Sequence, residues 1–216
     1  MGILSFFSRK RGAAEGPSGG PERDADQVVE APPVEAAPVE AAPVSYAALV
    51  PMAELISNGD PRVTADIELL AEGYERFRAA HPEWCDRMFP EGVESDSEFP
   101  VIREVFTFWL AGYDTPFGYG SYVDWKEETE DVVASLQAVL DRLGVPVALD
   151  EVSFPGDEDT EEALVIIAGA LRERGHALVV IDTESDSYHL YVVPQAELER
   201  LVALGDSVGF AVSVPA

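Results

Sequence analysis

The chain has little cysteine and no long apolar run. Among its 216 residues Cys85 is the single cysteine, which excludes an intramolecular disulfide and is typical of a reducing compartment. A membrane-spanning helix needs roughly eighteen or more consecutive apolar residues, and no stretch of the sequence provides them. The composition therefore predicts a cytoplasmic protein.

Positive charge is also scarce. The 14 Lys and Arg residues are outnumbered by 41 Asp and Glu residues, which gives a formal net charge of -27. Nucleic-acid binding needs a basic surface that neutralises phosphates, so we expect no nucleic-acid partner. The charge is compatible with a basic protein partner, with a cation, or with a surface whose charge only maintains solubility.

The first 44 residues differ in composition from the rest of the chain. Residues 12–44 are rich in Gly, Pro, Ala and acidic residues, contain no aromatic residue, and carry the near-repeat VEAAPVEAAPV. Such a segment buries too little apolar area to offset its loss of conformational entropy, so it predicts a disordered tail over 1–44. We interpret the tip, MGILSFFSRKR, as an ordinary terminus, and membrane contact through this tip is the alternative.

Residues 45–216 have the patterns of a single α/β domain, and the 47% apolar content of the chain is sufficient for a core. Apolar residues at helical spacing predict a helix that begins at Pro61, with Asp60 as its N-cap, and ends before Pro82. A second wide apolar band predicts a helix over residues 101–110. The first half of the domain is therefore expected to be helical.

From residue 119 onward, strand and helix patterns alternate. A capping-box pattern at Asp159 and Glu162 predicts the start of one helix. The last helix is expected to start at Pro194 and to end at Gly205. The predicted strands are 121–125, 147–154, 177–181, 188–193 and 210–214. Two strand–helix–strand crossovers followed by a hairpin predict an α/β (α+β) fold with a mixed sheet of about five strands and helices packed on it.

The hairpin near the C terminus is the element around which we expect the domain to be organised. Residues 177–181 form a continuous apolar, β-branched run, which is typical of a strand covered on both faces. Residues 182–187 are polar and predict the turn. On the returning strand the pattern predicts two opposite faces, one with Tyr188, Leu190 and Val192 and the other with His189, Tyr191 and Val193.

The acidic tip of this hairpin and the end of the preceding strand at Asp124 supply the candidate binding residues. They are Asp124, Trp125, Glu127, Asp182, Ser185, Asp186, Ser187 and Tyr188. Acidic residues alternate from Asp182 as at the start of a calcium-binding loop, but Ser187 replaces the required Gly and Val193 replaces the final Glu, which excludes an EF-hand. A weaker cation site requires that Asp124 and Glu127 approach the tip.

Other catalytic patterns are incomplete. Ser187 lies near His189 and Asp182 in sequence but lacks the G-x-S-x-G elbow of a hydrolase. His81 and Cys85 have a spacing that suits a metal or a nucleophilic thiol. Because Pro82 lies between them, we interpret Cys85 as a partly buried structural residue. The sequence predicts no cofactor, since Gly118-Tyr-Gly120 completes no phosphate-binding pattern.

Two segments, YVDWKE before an acidic helix and VVIDTESDSYHLYVV near the C terminus, resemble an uncharacterised bacterial family, the domain of unknown function 6630 type. The resemblance covers roughly residues 55–214 and implies a shared domain and site but no reaction. Its motif-like positions are Asp124, Trp125, Lys126, Glu127, Asp182, Ser185, Asp186, Ser187 and Tyr188. His189 departs from the family pattern, so the resemblance implies no role for it.

Two functions remain, and the negative charge favours the first. One is a non-catalytic interaction module of the immunity or regulatory type that binds a basic protein, such as a nuclease or a toxin. The other is a metal-assisted hydrolase, whose ligands or bases would be Asp124, Glu127, Asp182 and Asp186. A minor third interpretation is a small-ligand pocket lined by Trp125, Tyr188 and Tyr191.

Overall fold

The structure is a computed structural model that describes residues 45–90 and 99–216. The tail over residues 1–44, predicted to be disordered, lies outside the described residues, and so does its tip, for which membrane contact was the alternative interpretation. The domain boundary at residue 45 stays a prediction. The described helices are α1 (Leu49–Ile56), α2 (Pro61–Ala71), α3 (Tyr74–Ala80), α4 (Pro82–Met88), α5 (Phe99–Ala111), α6 (Thr129–Leu143), α7 (Thr160–Glu173) and α8 (Leu198–Val208). Among these helices none is both long and apolar enough to cross a bilayer.

The four strands of the described region form one sheet in the order β1-β3-β2-β4. They are β1 (Gly120–Asp124), β2 (His176–Ile181), β3 (Ser187–Pro194) and β4 (Val212–Ser213). The α/β class, the helical first half and the central hairpin are confirmed. The sheet differs from the expected mixed one because every neighbouring pair of strands is antiparallel. β1 and β2 run in the same direction, but β3 lies between them.

The expected strand over residues 147–154 does not form, which leaves four strands instead of five. A short 3-10 helix, Leu149–Glu151, lies there instead. The Gln137 side chain in α6 donates to the Val147 carbonyl (3.1 Å) and accepts from the Leu149 N–H (2.8 Å). Because a side-chain amide satisfies these two backbone groups, the segment needs no strand partner at these positions.

Helices cover both faces of the sheet, as the apolar hairpin predicts. Tyr191 and Val193 of β3 pack in a core with the N-terminal helices and α8. Leu190 and Val192, on the opposite face, pack in a second core with α6 and α7. The predicted alternation along β3 is therefore confirmed, and the central hairpin separates two hydrophobic layers.

Several helix ends match their sequence signals. The Asp60 carboxylate accepts from the Arg62 N–H (3.0 Å) as the N-cap of α2. Asp159 and Glu162 form the predicted capping box of α7, with hydrogen bonds of 2.9 and 3.2 Å. Gly144 ends α6 in the left-handed conformation, with φ at 68°. Local side-chain chemistry therefore sets these three boundaries.

Two helix predictions were wrong. The helix expected between Pro61 and Pro82 breaks into α2 and α3 at Gly73, whose φ of 126° is incompatible with a continuous helix. The last helix does not end at Gly205; it continues to Gly209, which adopts φ 80°. Gly205 instead allows β4 to approach α8, because a Cβ there would overlap the Val212 side chain.

Two glycine substitutions test the packing of the central sheet. We expect Gly120→Ala to lower the free energy of unfolding by about 1–3 kcal/mol, because the new Cβ would overlap the Tyr191 ring and approach the Leu190 carbonyl oxygen. Gly169→Ala is the matched control, since its Cβ meets no atom and it lies inside α7. In urea unfolding, the free energy of unfolding of this control should increase by about 0.5–1 kcal/mol, because Ala favours a helix interior more than Gly does. Equal effects of the two substitutions would contradict this packing.

Candidate functional site

The end of β1 lies beside the tip of the central hairpin. Asp124 is paired with Ser187 in the strand register, and the Trp125 N–H donates to the Asp186 carbonyl at 3.3 Å. The structure therefore brings the two predicted groups of site residues together, although they are far apart in sequence.

The start of α7 joins the same end of the sheet. The Thr160 hydroxyl donates to the carbonyls of Trp125 (2.8 Å) and Glu127 (3.1 Å). The pKa of Tyr188 at the hairpin tip is raised by burial and by the nearby carboxylates Glu161 and Asp159. Three segments thus converge, and we refer to residues 124–131, 157–162 and 182–187 together as the acidic end.

The acidic end concentrates negative charge. Residues 124–131 and 157–162 contain five carboxylates each, and residues 182–187 contain three. All of them are exposed except Glu127 and Glu158, which are half-buried. Lys126 is the one basic residue in these three segments. A surface patch of this composition creates a strongly negative local potential that attracts basic ligands.

Some of these carboxylates also shape the backbone. Asp124 accepts from the Lys126 N–H (3.0 Å), and Asp182 accepts from the Glu184 N–H (2.7 Å). Glu184 adopts a φ of 60°, which is unusual for a residue with a side chain. Asp124 and Asp182 therefore stabilise the two turns in addition to contributing charge.

The described residues contain no group of three or more His, Cys, Asp or Glu side chains placed to hold a metal ion. Asp124 does lie beside the hairpin tip, as the cation-site interpretation required, but the carboxylates do not converge on one point. The metal-assisted hydrolase therefore has no geometric support in this part of the chain.

Aromatic side chains are exposed next to the acidic end. The Trp125 side chain is 49% exposed, and the Lys126 ammonium lies 4.1 Å from the centre of its ring. Tyr122 and Tyr113 are 38% and 41% exposed and both contact Phe108. Sequence reasoning found Trp125 but missed the two tyrosines. Tyr122 alternates with the buried Ser121 and Val123, which is the signal of an outward position on a strand.

The expected small-ligand pocket of Trp125, Tyr188 and Tyr191 does not form. Tyr191 is fully buried, and its hydroxyl donates to the Thr107 carbonyl at 2.9 Å. Tyr188 packs against the core on the opposite face of β3. The three rings therefore do not share a surface, and Tyr191 is a core residue.

Arg103 of α5 ties the helix to the hairpin tip, and sequence reasoning missed it. Its guanidinium donates to the Thr183 carbonyl and to the Glu184 carboxylate, both at 3.1 Å. Arg103 is 8% exposed, whereas the Glu184 side chain is 79% exposed. Its one sequence signal is a charged residue inside the apolar band of residues 101–110. Removal of its side chain would leave a buried carbonyl without a donor.

His189 is buried beside this Arg103 contact. Its ring packs against Phe108 (5.0 Å between centroids) and Tyr122 (5.3 Å), and its Nδ1 has no hydrogen-bond partner. Burial, and to a smaller extent the positive charge of Arg103, lower the pKa of His189 to about 4. The Ser187 hydroxyl donates to the Tyr122 hydroxyl (2.7 Å), so no Ser–His hydrogen bond of a hydrolase is present between these described residues.

Cys85 lies within α4 and is buried more completely than the predicted partly buried residue. Its exposed fraction is 1%, and burial raises the pKa of its thiol, which opposes a nucleophilic role. Pro82 is the first residue of α4 and does not disrupt it. The His81 ring nitrogen Nε2 lies 3.1 Å from the Asp66 carboxylate, and this contact links the α3–α4 junction to α2.

The comparison with protein families agrees with the resemblance noted in the sequence. A family model described as Domain of unknown function (DUF6630) matches residues 48–215. The chain belongs to this family. All three segments of the acidic end lie inside the DUF6630 match, and so do Arg103 and His189. Neither the curated proteins nor the solved structures gave a match.

The buried His189 predicts a specific acid sensitivity. Its pKa falls from 6.5 to about 4 on folding, so between these pH values the unfolded chain binds a proton that the folded chain does not. Stability should therefore decrease as the pH falls from 6.5 to 4, by up to about 3 kcal/mol from this residue.

Urea unfolding at several pH values tests this prediction. We expect His189→Gln to lose less unfolding free energy than the wild type between pH 6.5 and 4, because Gln binds no proton in either state. The other titrating groups are common to both proteins and cancel in the difference. Identical losses in the two proteins would show that His189 is not held neutral by the fold.

Proposed function

We propose that this DUF6630 domain is a non-catalytic interaction module whose acidic end binds a basic protein, in an immunity or regulatory role. The observation that carries the proposal is the convergence of three acidic segments around the exposed Trp125. Charge alone would support only solubility. An exposed tryptophan inside the same patch adds the kind of residue that dominates binding energy at protein interfaces.

Electrostatics and the aromatic residue have different roles in this proposal. The carboxylates steer a basic partner and increase the rate of association, an effect that falls with ionic strength. Trp125 provides apolar contact area at the centre of the patch, where water is excluded on binding. Lys126 already stacks on the Trp125 ring, so the site accommodates a cation on that ring.

Neutralisation of acidic residues tests the electrostatic part. The triple variant Glu128→Gln, Glu130→Gln, Asp186→Asn removes three exposed charges from the acidic end. We expect the association rate with the partner to fall about tenfold or more at low salt, because steering depends on this local field. The assay is affinity capture of the partner from native lysate by the full chain, followed by binding kinetics at two salt concentrations.

The matched control removes the same charge elsewhere. Glu68→Gln, Glu75→Gln and Glu83→Gln lie on exposed positions of α2, α3 and α4. We expect this control to bind the partner with almost the same association rate and the same dependence of that rate on salt. If both triple variants lose the partner equally, net charge and not the acidic end is responsible. If neither loses it, the proposal is wrong.

Truncation of Trp125 tests the apolar part. We expect Trp125→Ala to weaken the equilibrium affinity about thirtyfold or more, mainly through faster dissociation, as for a central interface residue. Trp125→Phe should recover part of the affinity, because it keeps an aromatic ring. The side chain is half exposed in the free protein, so the thermal unfolding midpoint should change little. Unchanged affinity in Trp125→Ala would remove Trp125 from the interface.

A further inference from the structure

The outer edge of β1 points to the way in which a partner binds. We propose that an extended, basic segment of the partner adds to β1 as a fifth strand of the sheet. This inference rests on the proposed function and specifies the conformation of the bound segment. Three observations support it: which backbone groups of β1 bond to β3 and which point outward, the position of β1 at the edge of the sheet, and the side chains beside that edge.

The register determines which backbone groups of β1 face outward. In an antiparallel pair, directly opposed residues alternate between those that exchange backbone hydrogen bonds and those that do not. The Trp125 N–H donates to Asp186, the residue opposite it in the β1–β3 register. Because every second residue bonds to the neighbouring strand, Val123 and Ser121 also exchange backbone hydrogen bonds with β3. The backbone groups of Tyr122 and Asp124 therefore point away from the sheet.

These outward groups have no backbone partner in the part of the chain that the structure describes. β1 is the last strand in the sheet order, and its ladder partner is β3. The Asp124 carbonyl accepts from the Glu127 N–H (3.0 Å), which closes that end of the edge. The Tyr122 N–H, the Tyr122 carbonyl and the Asp124 N–H remain, and they form the donor–acceptor pattern that an added strand requires.

The side chains around this edge indicate a basic occupant. Asp124 is exposed beside the edge, and α6, which begins five residues later at Thr129, carries Glu130 and Asp131 in its first turn. Tyr122 and Trp125 offer exposed rings on which the aliphatic parts of Lys or Arg side chains can pack. A second copy of this chain is disfavoured because both copies carry a net charge of -27. A basic segment meets opposite charge at the Asp124 end of the edge.

Amide exchange measured by NMR on the full chain tests the proposal, with a short synthetic peptide of alternating Lys and Val as the probe. In the free protein the amides of Ser121 and Val123 should exchange slowly, because they bond to β3, and those of Tyr122 and Asp124 should exchange fast. Saturating peptide should slow the exchange of Tyr122 and Asp124 about tenfold or more. Ser121 and Val123 serve as internal controls on the same strand.

A second peptide separates strand addition from simple charge attraction. The same sequence with alternate amides N-methylated keeps its charge but cannot form the ladder, so its dissociation constant should be about tenfold higher. Equal binding of both peptides, without protection of Tyr122 and Asp124, would overturn the fifth strand and leave the acidic end intact as a docking surface. No binding of either peptide at low salt would overturn both proposals. A dimer of the free protein in sedimentation, with slow exchange of Tyr122 and Asp124 before peptide is added, would assign the edge to a second copy and likewise overturn the inference.

Discussion

Burial of the β2–β3 hairpin on both faces is the constraint on which the structure depends. Each face of this hairpin is covered by helices, so the sheet lies between two hydrophobic layers, and Leu143 at the end of α6 packs against both of them. Fully buried strands must satisfy every backbone group inside the sheet, which the antiparallel ladder does. Residues 182–187 of the turn are all polar, so the turn must reach solvent. Its position at the surface follows from the burial of the two strands.

The hairpin and several helix ends could be predicted because their signals are local. Residues 177–181 carry an apolar run bounded by a polar turn, and Asp159 and Glu162 lie three residues apart. The loop at residues 147–154 could not be predicted, because its backbone is satisfied by Gln137 from a separate helix. Strand order and the neighbourhood of Asp124 and Ser187 depend on pairing, which periodicity does not specify.

The candidate site shows the same division. The acidic residues and Trp125 could be identified from composition and position near strand ends. Arg103 and Tyr122 could not, since their importance arises only when α5 crosses the sheet and β1 joins β3. The expected pocket failed at Tyr191 because odd and even positions of one strand face different layers. Aromatic residues that are close in sequence on one strand therefore need not share a surface.

Like charges at the acidic end repel one another, and the fold partly offsets this repulsion. Asp124, Asp159 and Asp182 accept backbone hydrogen bonds at turns or at a helix start, where a negative charge is favourable. Glu162 also accepts from the Asp159 N–H, and Glu158 accepts from the Gly156 N–H. The other exposed carboxylates of the acidic end, such as Glu128, Glu130 and Asp186, accept no backbone hydrogen bond among the described residues. Binding of an opposite charge would reduce their repulsion, so a basic ligand bound at the acidic end should also stabilise the domain against unfolding.

The pairing of β1 with β3 has a consequence for the order of folding. β1 precedes α6 and α7 in the chain, yet its partner strand follows both helices. During synthesis β1 must wait until the central hairpin has emerged, and closing so long a loop slows folding. The β2–β3 hairpin, in contrast, needs only its short turn. The nascent chain should therefore assemble the centre of the sheet first and add the β1 edge late.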